Sequence, residues 1–194
     1  MVHPAKFDRQ QVVDAAMELF WQHGFAATST RDLQQALGMH PGSIYAAFGS
    51  KAGLYREALD CYAASMASQL MAHMEQHESI LAGFKGFFRA LLGAEAGATA
   101  RMCLLVKTQI ELAGDDSALK ELAASHLKHT EARFSQLLAR ACARGELPAD
   151  TDTRALARYL QVQMMGLRSY LVCSGDHATA ERMIEQLFAD HGST

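Results

Sequence analysis

Hydroxyl-bearing and cationic side chains come together in two short stretches near the start of the chain. The first is LGMHPGSIYAAFGSK, residues 37–51, which contains Ser43, Tyr45 and Lys51. The second is STR, residues 29–31. Hydroxyl groups donate hydrogen bonds to phosphate oxygens and base edges, and lysine and arginine neutralise phosphate. These residue types therefore indicate a surface that binds phosphate groups, with base edges as a second target.

Three short helices must position these side chains. Helical periodicity predicts them at residues 8–24, 29–38 and 41–49, and no stretch of the chain is a convincing strand. Each helix ends at a glycine, the second begins with a capping-box pattern, and the third begins with a proline, which suits a first helical position. A short turn with glycine between the second and third helices is typical of a helix-turn-helix, although an ordinary helical hairpin gives the same pattern.

The third helix is predicted to have two different faces. Ile44 and Phe48 should point into the core, together with Leu33, Ala36 and Leu37 of the second helix. The opposite face of the third helix carries glycine, serine and alanine, whose small side chains let a helix approach another surface, and the major groove of B-DNA admits a helix. The serine and lysine that follow open a fourth helix, whose free N–H groups and dipole favour a phosphate.

Composition limits the class of protein. The chain has 194 residues, 49% of them hydrophobic, which is enough for a sizeable core. Its formal net charge of -3 argues against a protein that coats nucleic acid, although residues 1–56 carry five Lys/Arg against four Asp/Glu. No apolar run suits a membrane span or a signal peptide, so we expect a cytoplasmic protein. The four scattered cysteines are expected to be reduced core residues.

The rest of the chain predicts a larger helical bundle. The fourth helix should run to about His77, and further helices are expected at 79–93, 99–113, 116–144, 152–174 and 177–190. The predicted fold is therefore all-α, with a three-helix helix-turn-helix domain at 1–50. A linking helix and a second helical domain follow over 51–194.

The first segment resembles the DNA-binding domain of the TetR family of bacterial transcription regulators. The likeness covers residues 8–60 approximately and rests on Ala15-Ala16, Leu19-Phe20, Gly24-Phe25, Thr28 to Leu33, Leu37-Gly38-Met39, Gly42 to Tyr45, Phe48, Ser50-Lys51 and Leu54-Tyr55. The resemblance implies that the third helix enters the major groove of DNA. By motif position, it implies DNA contacts from Thr30, Arg31, His40, Pro41, Gly42, Ser43, Tyr45 and Lys51.

Several of these contacts are compatible with two roles. Arg31 suits a bidentate contact with a guanine edge and equally a phosphate clamp. Tyr45 is favoured as a phosphate contact over a packed core aromatic, because it lies on the outward face. His40 suits a phosphate, a base or a solvated turn. The sequence departs from the family at Ala46 and Ala47, where a larger polar or aromatic residue is common. Base reading is then expected from Arg31, His40 and Ser43, with apolar contact of Ala46 or Ala47 with thymine methyl groups.

The resemblance also implies a homodimer that binds a two-fold symmetric operator. Dimerisation would use the last two helices, and their apolar stripes fit a four-helix interface. Burial within one chain is the alternative for the same stripes. The stripes consist of Ala155, Tyr159, Val162, Met165 and Tyr170, and of Ile184, Leu187 and Phe188, with Gly166 allowing close approach.

A small effector would bind among the middle helices. Candidate pocket residues are Met66, Leu70, Phe84, Phe88, Met102, Cys103, Leu105, Phe134 and Met164, although methionines at helical spacing are commonly plain core. Cys103 lies near Arg101 and one turn before Lys107, and a nearby cation activates a thiol. This segment resembles a branch of the family that responds to electrophiles or oxidants through a cysteine. A buried, inert thiol remains the default interpretation of Cys103.

The resulting hypothesis is a repressor whose DNA complex is broken by an effector or by modification of Cys103, through a shift of the fourth helix. An architectural DNA-binding protein would need a more basic surface, and a helical enzyme would need a catalytic motif that the sequence lacks. Asp115-Asp116 looks like a helix start. The pairs His73/His77 and His126/His129 have metal-compatible spacing but suit a solvated face better, so neither a metal nor a cofactor is expected.

Overall fold

The structure is a computed structural model that describes residues 7–93, 101–112 and 117–189. Within these residues the chain forms nine α-helices and no strand, which confirms the predicted all-α class. None of the helices described is long and apolar enough to cross a membrane. The helices are α1 (Arg9–His23), α2 (Thr30–Leu37), α3 (Pro41–Phe48), α4 (Lys51–Gln76), α5 (Ile80–Leu91), α6 (Leu104–Glu111), α7 (Ser117–Ala143), α8 (Thr153–Ser174) and α9 (His177–Ala189).

The predicted helix ends agree with the observed ones to within one or two residues, with one exception. The exception is α6, which begins at Leu104 rather than at residue 99. Residues 99, 100 and 113, and the pair Asp115-Asp116, lie outside the described residues.

Local caps explain where the first helices begin and end. The Asp8 carboxylate accepts hydrogen bonds from the backbone N–H groups of Gln10 and Gln11 and so starts α1. Gly38 ends α2 in the left-handed conformation, with φ 60°, which a glycine adopts without strain. These caps satisfy N–H and C=O groups that a helix leaves unpaired at its ends.

Backbone contacts divide the chain into two compact units. One comprises Met1–Ser65 and Leu104–His126, and the other comprises Met66–Cys103 and Leu127–Thr194. The division passes through α4 and α7, whereas the sequence predicted a boundary at residue 50, or near 60 for the family-type domain. Those domain boundaries remain a prediction.

The core of the first unit is built around aromatic side chains. Tyr55 of α4 contacts Phe20 edge-on at 4.8 Å between ring centroids and lies 4.9 Å from Phe25. Ile44 and Phe48 are buried as predicted, and α3 is therefore held on this core by two side chains.

The inward face of α2 is narrower than predicted. Leu33 is fully buried, but Leu37 is only half-buried and Ala36 is exposed, so the prediction for Ala36 was wrong. Met39, in the turn after α2, is buried instead. Because α2 has only eight residues, its packing depends on one side chain of the helix and one of the turn.

The second unit is packed around phenylalanines from three helices. Phe84 of α5 contacts Phe134 of α7 edge-on at 5.1 Å, and Phe88 contacts Phe188 of α9 edge-on at 5.4 Å. Edge-to-face contacts of this kind add to the free energy of apolar burial. Leu70 of α4 belongs to the same buried cluster.

The two predicted C-terminal stripes behave differently. Ile184, Leu187 and Phe188 of α9 are buried in the chain's own core, so the single-chain alternative applies to them. On α8, by contrast, Tyr159 and Val162 are 48% and 63% exposed. The inner face of α8 carries other residues: Ala157, Leu160, Gln161, Met164, Leu167, Arg168 and Leu171 are buried.

Candidate nucleic-acid interface

The outward face of α3 is open and bears small or hydroxyl-bearing side chains. Its exposed residues are Gly42, Ser43, Tyr45 and Ala46. Space around Gly42 is free, since no atom lies within 4 Å of where a Cβ would stand. The backbone of α3 is thus accessible to a surface that approaches it closely.

The residue that precedes α3, His40, has an imidazole ring that does not cap the helix. His40 is the N-cap residue, yet its side chain makes no capping hydrogen bond and is exposed. Pro41 takes the first helical position and is half-buried. The imidazole of His40 is therefore not used to cap α3 and stands exposed at the start of this helix.

A hydrogen bond joins two of the predicted contact residues. The hydroxyl groups of Thr30, at the start of α2, and Tyr45, on α3, lie 2.8 Å apart. The pairing fixes the otherwise exposed Tyr45 ring and places both hydroxyls at one point. Both residues were predicted as DNA contacts, but their pairing was not, because they are fifteen positions apart.

The N-terminus of α2 is already occupied by a protein carboxylate. Asp32 accepts from the backbone N–H and the hydroxyl of Ser29, and the Ser29 hydroxyl accepts from the Asp32 N–H. The Ser29 side-chain hydrogen bond, followed by the backbone one, lowers the pKa of Asp32. Ser29 is thus committed to a capping box, while Arg31 beside it is exposed.

Lys51 is held at the first turn of α4 by an aromatic ring. Its ammonium nitrogen lies 4.6 Å from the ring centroid of Phe25, a cation–π contact, and partial burial lowers the pKa of Lys51. Ser50 accepts from the Gly53 N–H and so caps α4, as the sequence predicted. A Cβ on Gly53 would stand 2.0 Å from the carbonyl oxygen of Phe48, so only glycine allows α4 to approach the end of α3 this closely.

Helix α6 is joined to α4 within the first unit by a buried hydroxyl pair. The hydroxyl of Tyr55 lies 2.7 Å from that of Thr108, and both residues are fully buried. Thr108 donates its one hydroxyl proton to the carbonyl of Leu104 at 2.8 Å, so Tyr55 must be the donor of the pair. Burial, partly offset by this hydrogen bond, raises the pKa of Tyr55 to about 12.

Two charged side chains of α6 hold the end of α1. Lys107 donates to the carbonyls of Trp21 and Gln22 at 2.9 and 3.2 Å, where α1 leaves carbonyls unpaired. Glu111 accepts from the backbone N–H of Phe25 at 2.9 Å. The ammonium of Lys107, which the sequence analysis considered as an activator of Cys103, thus donates to the end of α1.

The predicted effector residues belong to both units. Leu70, Phe84, Phe88, Phe134 and Met164 lie in the hydrophobic cluster of the second unit. In that unit Met66 and Met102 are half-buried and Cys103 is only 5% exposed. Leu105 is buried in the first unit. That these residues line an effector pocket remains a prediction.

Two buried polar side chains of α8 were missed by the sequence analysis. Gln161, 7% exposed, donates to the carbonyl of Leu127 at 2.9 Å, and Arg168, 3% exposed, donates to the carbonyl of Arg101 at 2.8 Å. Their spacing of seven residues places them on the same face as Met164. This spacing could have indicated from the sequence that both residues are buried, but polar residues in a helix are more often exposed.

The histidine and cysteine side chains of the described ranges were the remaining candidates for metal binding. In the three described ranges, no group of three or more His, Cys, Asp or Glu side chains could hold a metal ion. His77 bonds through Nδ1 to the carbonyl of His73, and His126 contacts the carboxylate of Asp60 at 2.7 Å. All four cysteines are free, but Cys173 is exposed, so its prediction as a core residue was wrong.

Comparison with known families gives a match at both ends of the chain. Residues 12–58 match the model of the tetR family of bacterial regulatory proteins, and residues 85–187 match the model of a tetracyclin repressor-like C-terminal domain. The chain is 32% identical over 187 residues to the HTH-type transcriptional repressor ComR of Escherichia coli, covering 94% of this chain and 86% of ComR. It is 30% identical over 164 residues to the HTH-type transcriptional regulator YezE of Bacillus subtilis, covering 84% of each.

Solved structures agree with these matches. A cysteine mutant of the TetR family regulator CifR, complexed with 26-bp operator DNA, superposes with a TM-score of 0.83 at 28% identity and covers 96% of this chain and 98% of its own. The reduced form of NemR of Escherichia coli superposes with a TM-score of 0.82 at 18% identity, covering 96% and 97%. The likeness to NemR shows the fold alone. The chain therefore belongs to the tetR family of bacterial regulatory proteins and is a helix-turn-helix transcriptional regulator, not an enzyme.

Proposed function

We propose that the protein is a repressor that binds a two-fold symmetric operator as a homodimer and leaves it when an effector binds or a thiol is modified. The observation that carries the proposal is the open face of α3, flanked by the Thr30–Tyr45 hydroxyl pair and by Lys51 on its aromatic support. The similarity to ComR, which is a transcriptional repressor, and to CifR, which was solved in complex with operator DNA, supports the same function.

In the proposed complex, α3 lies in the major groove and its flanks contact phosphates. Thr30, Tyr45 and Lys51 contact the backbone, and Arg31 contacts a guanine edge or a phosphate. Ala46 is exposed and suits a thymine methyl group better than the half-buried Ala47. His40, Pro41, Gly42 and Ser43 complete the proposed contact surface.

The experiment on DNA binding is an operator selection followed by affinity measurements over a range of salt concentrations. Tyr45→Phe and Lys51→Ala should both weaken binding to all sequences, because each removes a group that binds phosphate. Only Lys51→Ala should flatten the salt dependence, by about 0.9 in the logarithmic slope for each phosphate that is no longer neutralised. Lys128→Ala, an exposed lysine of α7, is the matched control. Wild-type affinity in both variants at raised salt would contradict the docking mode.

Dimerisation is proposed through the outer face of α8 and α9. Tyr159, Val162 and Gly166 recur at spacings of three and four residues on α8, and nothing lies within 4 Å of the position of a Cβ on Gly166. Met183 of α9 is exposed as well. Two copies of such a helix pair form a four-helix interface.

The dimer is tested by placing a charge on this face. Val162→Glu should give a monomer in sedimentation experiments and lower operator affinity strongly, because the two half-sites are no longer bound by one particle. Ala132→Glu, at an exposed position of α7, is the control for the added charge. A dimeric Val162→Glu variant with full affinity would exclude this face.

The effector is proposed to bind in the second unit, with Cys103 as the candidate thiol. Operator-bound protein would be treated with N-ethylmaleimide, in the wild type, in Cys103→Ser and in Cys173→Ser, which lacks the exposed thiol. Release that disappears only in Cys103→Ser would support thiol sensing. Release that persists in Cys103→Ser, or no release at all, would leave a noncovalent ligand as the effector.

A further inference from the structure

Arg9, the first residue of α1, contacts three parts of the first unit through one guanidinium. Its Nε donates to Glu57 of α4 at 3.1 Å, and its Nη2 donates to the second oxygen of the same carboxylate. Its Nη1 donates to the carbonyl oxygen of Ala47 at 3.2 Å. The guanidinium also lies 4.4 Å from the ring centroid of Phe48.

Two of these contacts are with the last two residues of α3. A helix leaves its last carbonyls without partners and carries a partial negative charge there. Gly49 donates to the carbonyl of Tyr45, and Arg9 supplies both a donor and a positive charge at Ala47. The stacked guanidinium covers the ring of Phe48, one of the two side chains that hold α3 on the core.

The third contact makes the arrangement rigid. Glu57 binds the guanidinium at two points, so the planar group has one orientation and cannot rotate away from α3. Arg9 therefore joins the start of α1, the end of α3 and the first half of α4. Lysine could neutralise Glu57 but has no planar fork to serve the three contacts together.

We propose that Arg9 is a positioning residue for the recognition helix. By fixing the end of α3 against α4, it sets the orientation in which the exposed face of α3 meets base edges. This inference rests on the proposed function of α3 in operator binding. Because both oxygens of Glu57 bind the guanidinium, Arg9 acts through α3 rather than as a phosphate ligand.

The competing role is a phosphate contact, because the Arg9 side chain is 50% exposed. The two roles give opposite signs when the partner carboxylate is removed. If Arg9 positions α3, Glu57→Gln frees α3 and weakens operator binding. If Arg9 binds phosphate, Glu57→Gln removes a competing negative charge and strengthens binding to all DNA.

The experiment compares Arg9→Gln, Arg9→Lys and Glu57→Gln with the wild type and with Arg140→Gln, an exposed arginine of α7 as a charge control. Affinity for the selected operator and for an unrelated duplex is measured over a range of salt. We expect all three test variants to lose about three- to tenfold in operator affinity, the size of a partly exposed charged contact, with an unchanged salt slope and little change on the unrelated duplex. A stronger complex in Glu57→Gln, or rescue by Arg9→Lys, would overturn the proposal.

Hydrogen exchange of the free proteins supplies a readout that needs no operator. Peptides from α3 should exchange faster in Arg9→Gln and Glu57→Gln, while those from α2 should match the wild type. Faster exchange across the whole unit would mean a general structural role, and unchanged α3 exchange would mean no positioning; either result overturns the proposal. If the wild type selects no operator, the proposed function fails, while the exchange result still decides whether Arg9 orders α3.

Discussion

The hydroxyl pair between Tyr55 and Thr108 makes an asymmetric prediction about stability. Tyr55→Phe removes the donor and leaves Thr108 with its hydrogen bond to Leu104 intact. The loss should be that of one buried hydrogen bond, about 1 kcal/mol in the free energy of unfolding. Thr108→Val keeps the shape but removes the acceptor that the buried Tyr55 hydroxyl proton has in the structure. That change should lose about 2–3 kcal/mol, because an unsatisfied buried donor adds its desolvation penalty.

The double variant Tyr55→Phe/Thr108→Val decides between this reasoning and simple packing. With both polar partners gone, no donor is left unpaired, so the double variant should be more stable than Thr108→Val alone and lie near Tyr55→Phe. Urea unfolding followed by circular dichroism measures all four proteins at one pH, with the slope against urea checked for constancy. Equal losses in the two single variants, or additive losses in the double one, would refute the assigned direction of the hydrogen bond.

Three further outcomes follow from the first unit. The pKa of Tyr55 is raised to about 12. Its stabilising effect is therefore full below the ordinary tyrosine pKa of about 10 and is lost as the pH rises toward 12. Over that pH interval the urea midpoint of Tyr55→Phe should fall less than that of the wild type. The pKa of Asp32 is lowered, so the capping box stabilises the fold above the ordinary carboxyl pKa of about 4, and this stabilisation is lost as the pH falls below that value. Urea unfolding of Asp32→Asn should lack this pH dependence. Gly24→Ala should lower the free energy of unfolding by more than about 1 kcal/mol, because φ is 88° and a Cβ would stand 2.2 Å from Glu111 Oε1. In urea unfolding, adding Glu111→Ala to this variant should recover only part of the lost stability, because it removes the clash but not the backbone strain.

Helix ends were predictable because their causes are local. The Asp8 and Ser29 caps and the glycines after α1, α2 and α3 act within a few residues, so the sequence contains the whole signal. The faces of short helices were less predictable. Ala36 was expected inside because its spacing from Leu33 is helical, but the turn residue Met39 is buried while Ala36 is exposed.

The candidate interface was predictable in its residues and not in its contacts. Hydroxyl-bearing and cationic residues near helix starts identified Tyr45 and Lys51. No periodicity in the sequence, however, indicates that Tyr45 pairs with Thr30 or that Lys51 lies against Phe25. The contact of Arg9 with Glu57 joins residues forty-eight positions apart, and only the folded chain brings them together.

The small size of α3 has a consequence for genetic screens. With eight residues, the helix is too short to persist alone, and its N-cap residue provides no side-chain hydrogen bond. Its order therefore depends on tertiary contacts, those of Ile44 and Phe48 beneath it and that of Arg9 at its end. A screen for loss of repression should recover substitutions at the two buried positions, Ile44 and Phe48, as well as on the exposed face of α3. Protein abundance in each isolate would separate the two groups, since only the first should lower the amount of folded protein in the cell.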